Sequence, residues 1–408
     1  MSEVTIIADD LTGAADCGIA FVLAGLPTLV VIDERSLPAS ARIVALDTDT
    51  RAAKEDAAVE RVDAAARAAY ASGARTVYKK VDSTLRGHVG AEVAAVARVA
   101  REVSGGRRVR VIAAPAFPAT GRTMQRGHVL VGGVPLGETE VWKGSGMSGL
   151  AELGAMFDGA GLRTSLVSLE AVRGPALAHT LLDASGDAVI CDAIAEEDLA
   201  AIARGGAQLD ASVIWVGSGG LARHLPRALG LQPEGTAGAR QSSPATPVLT
   251  LVGSRSRVSH DQATTLCRES GVVCLELDPG TLLASRSSYE AEARQVLRKG
   301  EDLVLVVSVR APVDLTRDKS IAGAFGALAA ALAPDAGAMF ATGGDIARAT
   351  LQSMGATGIQ LLGEVEPGVP AGLTATARPL PFVTKAGAFG TPNTMAHARA
   401  WLRNPRSL

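Results

Sequence analysis

The stretch Met339-Phe340-Ala341-Thr342-Gly343-Gly344-Asp345-Ile346-Ala347-Arg348 has the residue types of a phosphate cradle. An apolar run ending in paired glycines and an acid predicts a strand, a tight turn and a helix over residues 346–354. Glycine lets the backbone approach a ligand closely, because no Cβ intervenes. The first N–H groups of the helix would lack intrahelical partners and would suit an anion. Asp345 stands where a carboxylate could cap the helix, bind Mg²⁺ or accept a proton. A plain strand-turn-helix connection with an Asp N-cap is the alternative. Two more glycine turns follow apolar runs in the same half: Gly253-Ser254, and the turn from Gly387 to Gly390. Turns of this kind could converge on one polyphosphate.

The N-terminal half offers charged side chains at strand ends instead. Asp9-Asp10 follow the apolar run 4–8, Arg51 follows 43–46, and Lys80-Val81-Asp82-Ser83 close the run 76–81. Paired acids there could bind substrate hydroxyls or a metal; the alternative is a solvated loop with an N-cap. Arg51 could fork onto a carboxylate or pair with a neighbouring aspartate. Alternation puts Lys79 and Lys80 on opposite faces, so at most one points to a given site.

The elements that position these residues read as strand-helix alternation with apolar, two-sided strands. That predicts an α/β chain of two domains, each a mostly parallel sheet flanked by helices. Ligands of such sheets sit beyond the C-terminal strand ends. The expected domains are residues 1–231 for substrate and 248–408 for nucleotide. The linker between them is the Pro-, Gly- and Ser-rich stretch 232–247. The active site is expected in the interdomain cleft. Residues 124–149 read as a long Gly-rich segment, and Gly144 to Gly149 matches G-x-G-x-x-G. That match follows no strand, so it reads as a flexible loop or lid rather than a dinucleotide site.

Composition excludes several classes. Of 408 residues, 47% are hydrophobic and 20% charged, enough to form cores. A net charge of −2 and 3% aromatic residues argue against a nucleic-acid partner. No apolar run reaches the length of a membrane span, and the N-terminus lacks a signal-like basic region. Cys17, Cys191, Cys267 and Cys274 form no C-x-x-C pair, so free thiols in a reducing cytoplasm are expected. No Walker motif, zinc motif or nucleophile elbow is present.

Taken in order, the motifs resemble those of the four-carbon acid sugar kinases. The marks include Ala8-Asp9-Asp10-Leu11-Thr12-Gly13, Lys80-Val81-Asp82-Ser83-Thr84-Leu85-Arg86-Gly87 and Ala114-Pro115-Ala116-Phe117-Pro118. Further marks are Gly253-Ser254, Thr342-Gly343-Gly344-Asp345, Gly363-Glu364-Val365-Glu366-Pro367-Gly368 and Thr384-Lys385-Ala386-Gly387. The resemblance spans nearly the whole chain. It implies an ATP- and Mg²⁺-dependent kinase acting on the terminal hydroxyl of D-threonate, D-erythronate or 3-oxo-tetronate. By the same resemblance, Asp9, Arg51, Lys80, Val81, Asp82 and Ser83 bind the sugar acid. Ser254, Gly343, Gly344, Asp345, Ile346 and Gly387 bind ATP. Ile346 stands where Thr is commoner in the family, which removes one hydroxyl. Asp345 is the first candidate base for the attacking hydroxyl and Asp10 the second. The expected partner is a small sugar acid, with no nucleic acid or membrane and with room for a homodimer. A nicotinamide-dependent sugar-acid dehydrogenase and a non-catalytic sensor are the competing readings.

Overall fold

The structure, a computed structural model, describes residues 2–33, 37, 41–144, 147, 150–233, 245–309 and 318–404. The chain divides into two units, residues 1–235 and 236–408.

In the first unit, short Val-, Ile- and Ala-rich runs form strands because both faces of each are covered. They are β1 (Val4–Ala8), β2 (Thr28–Val31), β3 (Ile43–Asp47), β4 (Thr76–Lys80) and β5 (Val109–Ala114). A small antiparallel sheet follows, from β6 (Arg122–Gln125), β7 (His128–Val131) and β8 (Val134–Pro135). Then come β9 (Thr164–Val167), β10 (Ala188–Cys191) and β11 (Ser212–Gly217). The main sheet runs β2-β3-β1-β4-β11-β5-β10-β9, parallel throughout. Parallel pairing brings the C-terminal ends of β1, β3 and β4 side by side, with Ala8 level with both Asp47 and Lys80.

The β6-β7-β8 sheet corrects the reading of residues 124–149 as a Gly-rich segment without strands. Its glycines at 127, 132 and 133 all carry positive φ and make the hairpin turns. Asp192, just past β10, accepts the Arg126 and Gly127 N–H groups at 2.7 and 2.9 Å and pins the first turn. Of the G-x-G-x-x-G match, residues 145, 146, 148 and 149 lie outside the described residues, as do 234–244 of the expected linker.

The second unit holds β12 (Val248–Val252), β13 (Val272–Leu277), β14 (Asp302–Val307) and β15 (Ala338–Thr342). It continues with β16 (Gly358–Glu364), β17 (Pro370–Thr374) and β18 (Pro381–Lys385). Its order is β13-β14-β12-β15-β18-β17-β16; the first five strands are parallel, and β17 runs antiparallel to both β18 and β16. Val248, Phe340, Val383, Leu266, Met395 and Leu402 share one buried cluster between this sheet and its flanking helices. β17 was not expected from sequence, because Pro370 and Gly372 depress strand propensity. Gly372 is required there, since a Cβ would lie 2.3 Å from the Gln360 carbonyl oxygen of β16.

Two of the four cysteines depart from expectation. Cys17 and Cys191 are free and buried, but Cys267 and Cys274 are disulfide-bonded. Cys267 caps the helix Arg257–Leu266, and the turn into β13 brings its Cα within 6.0 Å of the Cys274 Cα, a bridgeable distance. Among the described residues no helix is long and apolar enough to cross a membrane.

Candidate functional site

In the first unit, the chain ends of three adjacent strands build a charged cluster. The Asp9 carbonyl accepts the Thr50 and Arg51 N–H groups at 3.0 and 3.2 Å, which swings Arg51 back over β1. The guanidinium forks onto both acids. Nε and Nη2 reach Asp9 at 2.6 and 2.9 Å, and Nη1 and Nη2 each reach Asp10 at 2.8 Å. Of the two roles left open for Arg51, the structure shows pairing with neighbouring aspartates. Asp10 also caps the helix Leu11–Val22, accepting Gly13 N–H at 3.0 Å and the Thr12 hydroxyl at 2.6 Å. Both Asp10 oxygens are thus engaged.

Lys79 and Lys80 do point to opposite faces. Lys79 is fully buried and pairs with Glu92 at 2.7 Å, a structural role. Lys80 turns to the acids, with its ammonium over Gly13; a Cβ on Gly13 would lie 2.8 Å from Nζ. No other side chain among the described residues forms a hydrogen bond or ion pair with that ammonium. Burial works to lower the Lys80 pKa, but Asp9, then Cys17 and Asp10, outweigh it and raise it. Burial likewise works to raise Asp9, yet Arg51 and Lys80 hold its carboxyl below the ordinary value.

Asp82 organises the turn after β4. It accepts Thr84 N–H at 3.3 Å, the Thr84 hydroxyl, and Arg86 through Nε at 2.8 Å and Nη2 at 3.0 Å. Burial would raise its pKa, but Arg51 and Arg86 pull it well below the usual carboxylate range. Gly87, at φ +89°, leaves room for the Asp9 carboxylate, which a Cβ would meet at 3.3 Å. Val81 is buried and its N–H is tied to Gly217 O at 2.8 Å, so its side chain faces the core. Ser83 is half-buried beside Asp82.

Sequence reasoning passed over Arg86 and Arg122. Arg122 opens β6; its Nε is buried without a hydrogen-bond partner, and its guanidinium feels the charges of Asp82 and Arg86. Its signal was a basic residue beside the Pro118–Thr120 turn, masked by the glycines around it.

In the second unit, the ends of β12, β14, β15 and β18 enclose a cavity of about 290 Å³. Gly253, Ser254, Gly343, Asp345, Ile346 and Gly387 line it, so the glycine turns do converge. Gly343 has φ +98° and is itself the N-cap of the helix Gly344–Ser353. Asp345 therefore sits in the first helical turn, not at the cap; the left-handed turn at Gly343 starts the helix earlier than expected. Gly253 admits the Ile346 side chain, whose Cδ1 a Cβ would meet at 2.4 Å, so Ile346 packs the wall. Gly387 lies against Ser254, whose Oγ would be 2.1 Å from an added Cβ.

Comparison with known proteins bears on both units. A family model described as a sugar-binding N-terminal domain matches residues 4–225, and one described as a nucleotide-binding C-terminal domain matches 249–395. A D-threonate kinase of Cupriavidus necator is 40% identical, covering 96% of each chain. A D-threonate kinase of Salmonella typhimurium is 33% identical over 97% of each. A crystal structure from Salmonella typhimurium LT2, named a tRNA synthase, superposes with a TM-score of 0.82 over 98% of this chain and 99% of its own. At 22% identity that likeness shows the fold alone.

Proposed function

We infer the reaction from one premise: the chain belongs to the family of four-carbon acid sugar kinases. We propose that it transfers the γ-phosphoryl group of ATP to the terminal hydroxyl of a four-carbon sugar acid, with D-threonate the first candidate and D-erythronate the second. The first unit holds the acid and the second holds the nucleotide. The observation that carries this reading is the convergence of Gly253-Ser254, Gly343 and Gly387 on one cavity, at the strand ends where α/β sheets bind ligands.

Charge supports the assignment of the acid. Asp9, Asp10 and Asp82 are opposed by Arg51, Lys80, Arg86 and Arg122, which leaves one cation in excess. A monocarboxylate restores neutrality. Arg51 is already forked by Asp9 and Asp10, so it fixes those acids rather than gripping the substrate. Lys80 and Arg122 are the cations with donors to spare for the carboxylate. Asp9 and Asp82 orient hydroxyls, and the exposed edge of Ser83 adds a hydroxyl of its own.

Phosphoryl transfer needs alignment and charge neutralisation more than covalent help. The glycine turns and Ser254 hold the phosphates. Among the described residues no cluster of three or more His, Cys, Asp or Glu could hold a metal. Mg²⁺ bound with nucleotide asks for only one or two carboxylates, and Asp345 on the cavity wall fits that demand. The ion would supply charge neutralisation on the phosphates. Asp345 is also our candidate to accept the proton of the attacking hydroxyl. Asp10, committed to its cap and to Arg51, keeps a positioning role.

The test is an ADP-coupled assay with ATP and a panel of four-carbon acids. ADP release dependent on one of them is expected. No release with any acid, or reduction of a nicotinamide nucleotide in its place, would overturn the reading.

A further inference from the structure

Lys385 ends β18 at the lip of the cavity, yet its side chain is fully buried and turned away from it. A cation beside a phosphate site ordinarily points at the phosphate. Here Nζ donates to the Ala386 carbonyl at 3.1 Å, the Gly387 carbonyl at 3.1 Å and Ser259 Oγ at 3.3 Å. Those bonds use all three ammonium donors. Ser259, on the helix Arg257–Leu266, donates in turn to the Gly387 carbonyl at 2.6 Å.

A trans peptide points its C=O and the next N–H in opposite directions. Carbonyls of Ala386 and Gly387 drawn inward to Lys385 therefore turn the N–H groups of Gly387 and Ala388 outward. Neither N–H has a hydrogen-bond partner among the described residues. Gly387 lines the cavity with Ser254, Gly343 and Asp345. Successive N–H groups on one concave side form an anion-binding nest.

We propose that Lys385 is a positioning residue for the phosphate donor, its ammonium gripping the turn from behind so that the Gly387 and Ala388 N–H groups present themselves to the phosphates. This rests on the nucleotide reading of the second unit. Lys79, the buried lysine with a structural role, is paired with Glu92, whereas Lys385 forms no ion pair among the described residues, so its burial carries a desolvation cost that no carboxylate offsets by direct pairing. That cost shows in the group itself: burial lowers the Lys385 pKa to about 8, with Glu366 acting in the opposite sense. An anion bound on the far side of the turn offsets it.

The test uses the full chain with Lys385→Met and, separately, Ser259→Ala, which removes one of the two donors to the Gly387 carbonyl. Adenosine, ADP, ATP and the sugar acid are titrated by calorimetry, with melting temperature as the check on folding. Lys385→Met is expected to weaken ATP and ADP by about tenfold or more, with adenosine and the sugar acid within about twofold of the parent. Ser259→Ala is expected to weaken ATP in the same pattern but less. Unchanged ATP affinity in a folded variant would overturn the proposal, and so would equal weakening of adenosine, acid and ATP. If Lys385→Met does not fold, Ser259→Ala decides by the same criteria. Inorganic tripolyphosphate separates the two claims. A parent chain that binds tripolyphosphate but no adenine nucleotide sinks the ATP reading and leaves Lys385 to be judged on tripolyphosphate; binding of neither sinks both.

Discussion

The two units use opposite means at the same place in an α/β sheet. At the C-terminal strand ends of the first, the ligand surface is made of side chains: acids locked by Arg51 and Arg86, with Lys80 and Arg122 beside them. At those of the second, three glycine-marked turns bring backbone to the cavity beside Ser254, Arg255 and Asp345, and a lysine faces inward. Under the proposed function, the difference matches what each ligand presents. A small sugar acid has one carboxylate and several hydroxyls at fixed positions, which side chains of defined reach can distinguish. A polyphosphate is a run of similar oxygens, which N–H groups and helix starts match without selecting a stereocentre.

The largest effect expected concerns Asp345, the acid on the wall of the second unit's cavity. Asp345→Asn should lower kcat by about 10²–10⁴-fold while ATP still binds. Single-turnover measurements with ATP titration check it, and unchanged turnover would return Asp345 to a structural role.

A pair of alanine substitutions sharpens the contrast between the units. In Gly13→Ala the new Cβ would lie 2.8 Å from Lys80 Nζ and 2.5 Å from Asp10 Oδ1. In Gly387→Ala it would lie 2.1 Å from Ser254 Oγ. Overpacking of this kind costs about 1–3 kcal/mol, so about a tenfold rise in one KM is expected from each. Gly13→Ala should raise KM for the acid alone, and Gly387→Ala KM for ATP alone. Steady-state kinetics with both substrates varied would expose a shared effect, and a shared effect would break the division.

Much of this was legible in the sequence. Apolar runs ending in polar or glycine residues marked β1, β3, β4, β12, β15 and β18, because buried parallel strands leave their chemistry at one end. Alternation separated Lys80 from Lys79 for the same reason. What was not legible depends on contacts across the chain. The direction of Lys385 is set by Ser259, more than 100 residues away in sequence. The engagement of Arg51 is set by backbone bonds to Asp9, which no local pattern reports. The bond between Cys267 and Cys274 follows from a turn geometry rather than a spacing motif. The β6-β7-β8 sheet was hidden by its own turn glycines.

The smallest effects expected are in pH dependence, where each unit should gain stability with rising pH, but in separate windows. Burial opposes the charged form of Asp82, but Arg51 and Arg86 bring its folded pKa well below 3.8. Its contribution is therefore present above that value and is lost as the pH falls through the folded pKa. Lys385 has a folded pKa of about 8, lowered by burial, against about 10.5 when unfolded. Between those values the unfolded chain binds more protons, so stability should rise with pH across that window. Melting temperatures from acid to pH 10.5 read both, and Lys385→Met should flatten the alkaline rise while leaving the acid limb in place. An alkaline rise that persists in the variant would contradict this.

The central claim is that a cation-rich side-chain pocket selects an acid for phosphorylation by a nucleotide held on glycine turns. Its most direct test is ADP release with D-threonate against threitol, the same carbon skeleton without the carboxylate. ADP release with the acid, and a kcat/KM at least about tenfold lower with the polyol, is expected from the loss of a charge-assisted contact. Equal rates with the two compounds, or no ADP with any four-carbon acid, would contradict it.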